Sequence, residues 1–198
     1  MQDLKTLLAQ AGAIIFDCDG TLVNTPPIYA RAWMAGLLRS GTPITADWYL
    51  ARAGMSEYVL MDAFEAETGL KLNREEVVAT VRATFLEVLA ELQEIEAITH
   101  IARENHGRLP MAVASGGPKE IVMATLEVTG LRDLFDTVVT IEDVGRAKPA
   151  PDLFLEAARR LCVPPASVLV FEDTSEGLEA ASQAGMQAID VGNVRSIP

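Results

Sequence analysis

Five short apolar runs set the strongest constraint on how this chain can fold. They are Ala13–Phe16, Met111–Ala114, Val138–Val139, Val168–Phe171 and Ala188–Ile189, each bounded by polar, glycine or proline residues. Runs of this length without polar alternation suit strands buried on both faces of a parallel sheet. Between them, from Pro110 onward, lie helical stripes. Ile121, Val122 and Leu126 precede a stop at Gly130, and Leu153, Phe154, Ala157, Ala158 and Leu161 mark a second stripe. A third, near Leu178 and Ala181, ends at Gly185. Strand–helix alternation predicts an α/β fold built on a doubly wound parallel sheet. In such sheets ligands bind beyond the carboxyl ends of the strands, so the residues that follow each run are where chemistry is expected.

The stretch 26–92 reads differently, with helical patterns and no convincing strand. Tyr29, Trp33 and Leu37 share one face and Leu60 and Phe64 another, while Val78, Val81, Phe85, Val88 and Leu92 are spaced three or four apart. Asn73 followed by Glu76 predicts an N-cap with its reciprocal partner. A helical insertion is therefore expected, joined through Thr21–Pro27 and Gln93–Ala97. The organisation predicted is an α/β core of 1–25 and 93–198 with a helical cap domain at 26–92. A chain of 198 residues accommodates a core and a modest insertion of this size.

Four polar clusters fall at the ends of predicted strands. Asp17-Cys18-Asp19-Gly20-Thr21 follows the first run, Ser115-Gly116-Gly117 the second, and Glu172-Asp173 the run Val168–Phe171. Lys148-Pro149 is expected to open a helix after a strand at Val138–Ile141. Carboxylates gathered at one edge repel unless a divalent cation or a proton neutralises them, and oxygen ligands suit Mg²⁺. Asp17, Asp19, Glu172 and Asp173 are the candidate metal residues. A carboxylate can attack phosphorus to give an aspartyl-phosphate, with a metal and Lys148 offsetting the charge on the phosphoryl group. The Ser115 hydroxyl and the N–H groups of Gly116 and Gly117, beside a helix N-terminus, are candidates to hold phosphoryl oxygens.

Acidic residues outnumber basic ones, 28 to 16, for a formal charge of −12. Neither nucleic acid nor an anionic membrane is expected as partner, because both require a basic face. Two cysteines make neither a disulfide framework nor a metal pattern, and the first residues carry no secretory signal, so a cytoplasmic setting is expected.

The ordered motifs resemble those of the haloacid dehalogenase superfamily. Asp17-Cys-Asp-Gly-Thr-Leu-Val-Asn-Thr25 is similar to that superfamily's first motif, and Ser115, Lys148 and Phe171-Glu-Asp-Thr174 stand where the second, third and fourth belong. The flanking Lys148-Pro-Ala-Pro-Asp-Leu-Phe154 and Glu172-Asp-Thr-Ser-Glu-Gly-Leu-Glu-Ala-Ala181 are similar to the β-phosphoglucomutase-like branch, and the likeness spans nearly the whole chain. The resemblance implies a Rossmannoid core with a helical cap. It implies Asp17 as nucleophile and metal ligand, and Asp19 as the acid for the leaving oxygen, its backbone carbonyl on the metal. Asp173 with Glu172 would complete the Mg²⁺ site, and Ser115 and Lys148 would bind the phosphoryl group.

Departures from the family pattern sharpen this reading. Asn24 replaces the usual acidic residue, outside the chemistry. Tyr29 stands where the mutase has a hinge histidine, and Glu57, after Gly54-Met55-Ser56, where the mutase carries an arginine for a second phosphate. Hydrolysis is therefore expected over mutase chemistry, and Asp19 speaks against dehalogenation. A β-phosphoglucomutase-like phosphosugar mutase is one rival reading. A receiver-like phospho-accepting module is another, though it needs neither the insertion nor a second aspartate placed as acid.

Other residues attract structural readings. Cys18, between two carboxylates, is expected to be a packing residue with a raised thiol pKa. His100 and His106 are expected at the surface, and Trp33 and Trp48 in the core of the cap. Gly116-Gly-Pro-Lys119 has the wrong spacing for a nucleotide loop. The sequence thus points to a Mg²⁺-dependent phosphatase for a small phosphorylated metabolite, such as a sugar phosphate, acting as a monomer or weak homo-oligomer. Gly54, Met55 and Ser56 are its candidate substrate contacts in the cap.

Overall fold

Four apolar residues in extended backbone span too little length to be stable unless both faces are covered, and the helices between the runs supply that cover. The computed structural model describes residues 4–194. In chain order these form α1 (Leu4–Gln10), β1 (Ala13–Phe16), α2 (Pro26–Leu38), α3 (Ala46–Leu50), α4 (Glu57–Thr68), α5 (Arg74–Glu87), α6 (Glu96–Asn105) and β2 (Met111–Ala114). There follow α7 (Lys119–Val128), β3 (Thr137–Val139), α8 (Asp152–Arg160), β4 (Val168–Glu172), α9 (Ser175–Gln183), β5 (Gln187–Asp190) and α10 (Val191–Val194). The chain divides into two compact units, 24–93 and the remainder. Residues 1–3 and 195–198, which the expected core boundaries include, lie outside the described residues.

The five strands form one parallel sheet in the order β3-β2-β1-β4-β5. Successive side chains of β1 point to opposite faces. Ala13 and Ile15 join a core with Leu153, Phe154, Ala157 and Ala158 of α8 and Ala180 and Ala181 of α9. On the other face Phe16 stacks on Phe171 at 5.1 Å and meets Phe135 edge-on at 5.8 Å. β1 is completely buried, which explains why its run shows no alternation. Gly130 (φ 66°) and Gly185 (φ 73°) end the helical stretches as the sequence predicts.

The order of strands reverses beside β1. The chain passes from β1 to β2 and β3 on one side, then crosses to β4 and β5 on the other. The register pairs Phe16 with both Val113 and Phe171, so the residues just past these positions converge at the switch point.

Two local expectations need correction. β3 ends at Val139, Ile141–Asp143 is a single 3₁₀ turn, and the next helix opens at Asp152 rather than at Lys148. Pro149 and Pro151 are the reason, since a residue preceding proline is pushed out of the helical region. The buried stripe of α5 is Val77, Val81 and Phe85, so Val78 lies beside it, and the helix ends at Glu87 before Val88 and Leu92. A further helix, α6, buries Ile98, Ile101 and Ala102 in a stretch where the sequence pattern predicts no element.

Within the unit 24–93, Thr45 accepts from Trp48 N–H and Asn73 from Glu76 N–H, capping α3 and α5. The helices α2 and α5 pack closely at Gly36, where a β-carbon would stand 2.6 Å from Val81 Cγ2. Trp33 is buried there, while Trp48 is half-buried with its edge toward Phe64, Arg52 over its ring and its indole N–H on Glu67. Among the described residues no helix is long and apolar enough to cross a membrane.

Candidate active site

Asp17 is the first residue past β1, and its N–H donates to Phe171 O of β4 at 3.0 Å. That bond sets it beside Glu172, the last residue of β4. Lys148 reaches between the two from the loop ahead of α8, its Nζ 2.6 Å from Asp17 Oδ1 and 2.6 Å from Glu172 Oε2. All three side chains are at least nine-tenths covered or close to it, with exposures of 8%, 1% and 11% for Asp17, Glu172 and Lys148. The lysine also lies over the Phe154 ring, 5.0 Å from its centroid.

Glu172 is held firmly. Its Oε1 accepts from Asp173 N–H, Thr174 N–H and the Thr174 hydroxyl at 3.1, 3.0 and 2.8 Å, and its Oε2 takes the lysine. Thr174 also caps α9, accepting from Gly177 N–H at 3.1 Å. Asp173 turns its Oδ1 to the hydroxyl of Thr21, which donates at 2.9 Å.

On the other side of β1, Ser115 follows β2 and donates from Oγ to Asp19 Oδ2 at 3.1 Å, while accepting from Gly117 N–H at 3.0 Å. A β-carbon on Gly117 would lie 3.2 Å from Ser115 Oγ and 3.4 Å from Asp19 Oδ2, so glycine keeps this corner clear. A β-carbon on Gly116 would meet nothing within 4 Å. The N-terminus of α7 behind this loop is already occupied in part, because the Glu142 carboxylate accepts from Lys119 N–H at 3.1 and 3.2 Å.

The electrostatics follow from burial and crowding. Burial first, then the charges of Glu172, Asp173 and Asp19, push the Asp17 carboxyl well above its ordinary 3.8, against the pull of Lys148. Asp173 rises to about 6 through burial and the neighbouring Glu172, with Thr21 opposing. Burial works against a charge on Lys148, but Asp17 and Glu172 outweigh it and hold the ammonium above a lysine's ordinary value. The Cys18 thiol is fully buried and raised well above its ordinary value by burial, then by Asp19 and Asp17, which suits packing rather than nucleophilic chemistry.

The donor set fits a hard divalent cation. Asp17, Glu172 and Asp173 each present a carboxylate oxygen within 4.8 Å of the others. Three carboxylates face one ammonium, an excess of negative charge that a divalent ion would offset, and oxygen donors are what Mg²⁺ takes. The Asp19 side chain stands apart from this cluster, on Ser115.

The structure thus brings together Asp17, Lys148, Glu172 and Asp173, and beside them Asp19, Ser115 and Gly117. Gly54, Met55 and Ser56 form the turn before α4 in the other unit, where Gly54 has φ 95° and Met55 is exposed. Glu57 there is paired in fork geometry with Arg82 at 3.1 and 2.8 Å, and Tyr29 packs on Phe85 at 4.5 Å and Tyr49 at 6.4 Å. His100 and His106 are exposed, as expected. Thr21 and Thr174, which stand inside the sequence motifs, and Gly177 and Glu142 carry contacts at the site that the motifs alone do not assign. For Thr174 a signal was present, a hydroxyl residue just ahead of a helical stripe.

Comparison with known proteins agrees with the geometry. The family described as haloacid dehalogenase-like hydrolase matches residues 11–185. A fructose-1-phosphate phosphatase of Escherichia coli is 35% identical over 182 residues, 90% of this chain and 95% of its own. A phosphorylated carbohydrates phosphatase of Thermotoga maritima is 32% identical over 181 residues, 89% of this chain and 83% of its own. The crystal structure of CbbY from Rhodobacter sphaeroides in complex with phosphate aligns at a TM-score of 0.79 and 25% identity, covering 90% of this chain and 84% of that one. With its motifs in order at one sheet edge, the chain belongs to the haloacid dehalogenase-like hydrolase family, as a phosphoric monoester hydrolase.

Proposed function

We propose that the protein is a Mg²⁺-dependent phosphatase of a small sugar phosphate, acting through an aspartyl-phosphate on Asp17. One observation carries the reading: Asp17, buried and paired to Lys148 through Oδ1, lies within the carboxylate cluster it forms with Glu172 and Asp173. A buried carboxyl raised well above its ordinary value is a poor nucleophile, and a cation in the cluster restores its charge. Bound there through Asp17, Asp173 and Glu172, with the Asp19 backbone carbonyl, Mg²⁺ would neutralise charge on the phosphoryl oxygens.

The chain's own residues supply the remaining chemistry. Lys148 holds Asp17 Oδ1, so Oδ2 is the oxygen directed to phosphorus. As the Asp17 oxygen bonds to phosphorus, the bond to the substrate oxygen breaks, and Asp19 gives that oxygen its proton. Water then attacks the phosphorus of the aspartyl-phosphate, Asp19 takes back a proton, and inorganic phosphate leaves with Asp17 restored. Ser115, Gly116, Gly117 and Lys148 bind the phosphoryl oxygens.

The relatives named as carbohydrate-phosphate phosphatases support a sugar phosphate as substrate. The unit 24–93 serves as cap, with Gly54, Met55 and Ser56 as its substrate contacts. Hydrolysis is favoured over a mutase because Tyr29 is committed to aromatic packing and Glu57 to Arg82. The setting is the cytoplasm.

The test is phosphate release from a panel of sugar phosphates and other phosphomonoesters, with Mg²⁺ or with EDTA, by the wild type and Asp17→Asn. Release that requires Mg²⁺ and vanishes in Asp17→Asn is expected. Isomerised hexose phosphate appearing only after a bisphosphate primer would overturn the reading in favour of a mutase.

A further inference from the structure

The residues proposed to hold the cation come from strands far apart in sequence. Asp17 follows β1 and Asp173 follows β4, and the two must present oxygens to one ion. One contact joins these loops through a carboxylate of the cluster itself. The Thr21 hydroxyl, fully buried, donates to Asp173 Oδ1 at 2.9 Å across 152 positions of sequence. The adjacent Gly20 (φ 88°) lies so close to the other oxygen that a β-carbon would stand 2.2 Å from Asp173 Oδ2. Gly20 N–H donates to Val23 O at 2.8 Å, and Leu22 N–H to Cys18 O at 3.0 Å, so the turn bearing Thr21 is internally braced. The Asp173 carboxylate is thus seated on the same turn that carries Asp17 and Asp19.

We propose that Thr21 is a positioning residue for the metal site, fixing the rotamer of Asp173 so that its carboxylate and that of Asp17 face one Mg²⁺. The inference rests on the metal-dependent reading of the site. A side chain on a half-buried loop has several staggered rotamers, and one hydrogen bond from a buried hydroxyl selects among them without touching the ion. Partners behind a metal ligand commonly alter affinity by about 10- to 100-fold when removed. Thr21 supplies the hydroxyl, and its methyl group packs.

Two variants separate these parts. Thr21→Val keeps the shape and loses the donor, whereas Thr21→Ser keeps the donor and loses the methyl. Calorimetric titration of MgCl₂ into the metal-free full-length protein is expected to show Mg²⁺ affinity weakened about tenfold or more in Thr21→Val and within about twofold of wild type in Thr21→Ser. At saturating Mg²⁺ the KM for substrate should be unchanged in both. In an Asp173→Asn background Thr21→Val should weaken Mg²⁺ no further. The reverse order of the two variants, or equal affinity in wild type and Thr21→Val, would overturn the proposal. If Thr21→Val does not fold, judged by circular dichroism in EDTA, a Thr21→Ser affinity more than tenfold below wild type overturns it, and one within twofold supports it. Failure of the wild type itself to take up Mg²⁺ would instead remove the metal-dependent reading, and the role of Thr21 with it.

Discussion

Gly177 lies directly against Glu172: a β-carbon at position 177 would stand 2.0 Å from Glu172 Cδ and 2.1 Å from Oε2. That oxygen is the one Lys148 binds, so the first turn of α9 sets the position of the lysine through a missing side chain. Gly177→Ala must displace Glu172. The strain costs about 1–3 kcal/mol, partly offset by the better helix propensity of alanine. The larger effect is on catalysis, since an ångström of misplacement can cost about 100-fold in rate. Steady-state kinetics beside urea unfolding would separate the two, and wild-type turnover in Gly177→Ala would refute the argument.

Lys148→Met preserves length and apolar contact but leaves Asp17 and Glu172 facing each other without a cation. Removing one partner from a buried ion pair typically costs about 3–5 kcal/mol. A loss of that size is expected in urea unfolding at pH 7 without metal. Part of it should return at pH 5, because Asp17 is already raised above its ordinary value and takes up a proton more readily once the lysine is gone. Equal stability of variant and wild type at both pH values would show the pair to be energetically idle.

The sheet was legible because burial on both faces leaves an uninterrupted apolar run, as in Ala13–Phe16 and Val168–Phe171. The switch point followed from topology, and it brings Asp17, Ser115, Lys148 and Asp173 to one edge. What sequence does not carry is the partner of each side chain. Nothing local says that Thr21 meets Asp173, or that the space at Gly177 belongs to Glu172. The helix α6 is not legible in the sequence because Thr99 and Asn105 are buried on its inner side, which blurs the apolar stripe. The sequence points to a helix start at Lys148 because the two prolines that delay α8 to Asp152 also resemble an N-terminal helix signal.

In the unit 24–93, Glu65 gathers Arg74, Lys71 and the N–H of Leu72 at 3.0, 2.9 and 3.1 Å. The hydrogen bond from Arg74, then that from Lys71, lower it from 4.5 to about 2. A depressed carboxyl stabilises above its unfolded value and loses that contribution as pH falls through the folded one. Thermal unfolding of the wild type should therefore fall between pH 4.5 and 2, and Glu65→Gln should show a lower midpoint at pH 7 with a shallower acid slope. Identical slopes would place the acid sensitivity elsewhere. Lys71 is mostly exposed and contributes little, so Lys71→Ala should resemble the wild type.

The core carries the opposite sign. Asp173 is raised from 3.8 to about 6, and Asp17 is raised well above 3.8, in the metal-free protein. A carboxyl raised on folding holds its proton in the native state after the unfolded chain has released it. The unfolded state then binds fewer protons, and stability falls as pH rises from about 4 through the folded value. In EDTA the unfolding midpoint should thus decline from pH 4 toward pH 7. On the proposed metal-dependent reading Mg²⁺ would bind only the deprotonated cluster, so its stabilisation should be small at pH 4 and grow across the same interval. Asp173→Asn removes one of the two raised carboxyls and should flatten both curves. The check is a grid of thermal unfolding scans over pH with EDTA or MgCl₂. A Mg²⁺ effect independent of pH, or a metal-free midpoint that rises toward pH 7, would show that these carboxyls are not the groups the ion relieves.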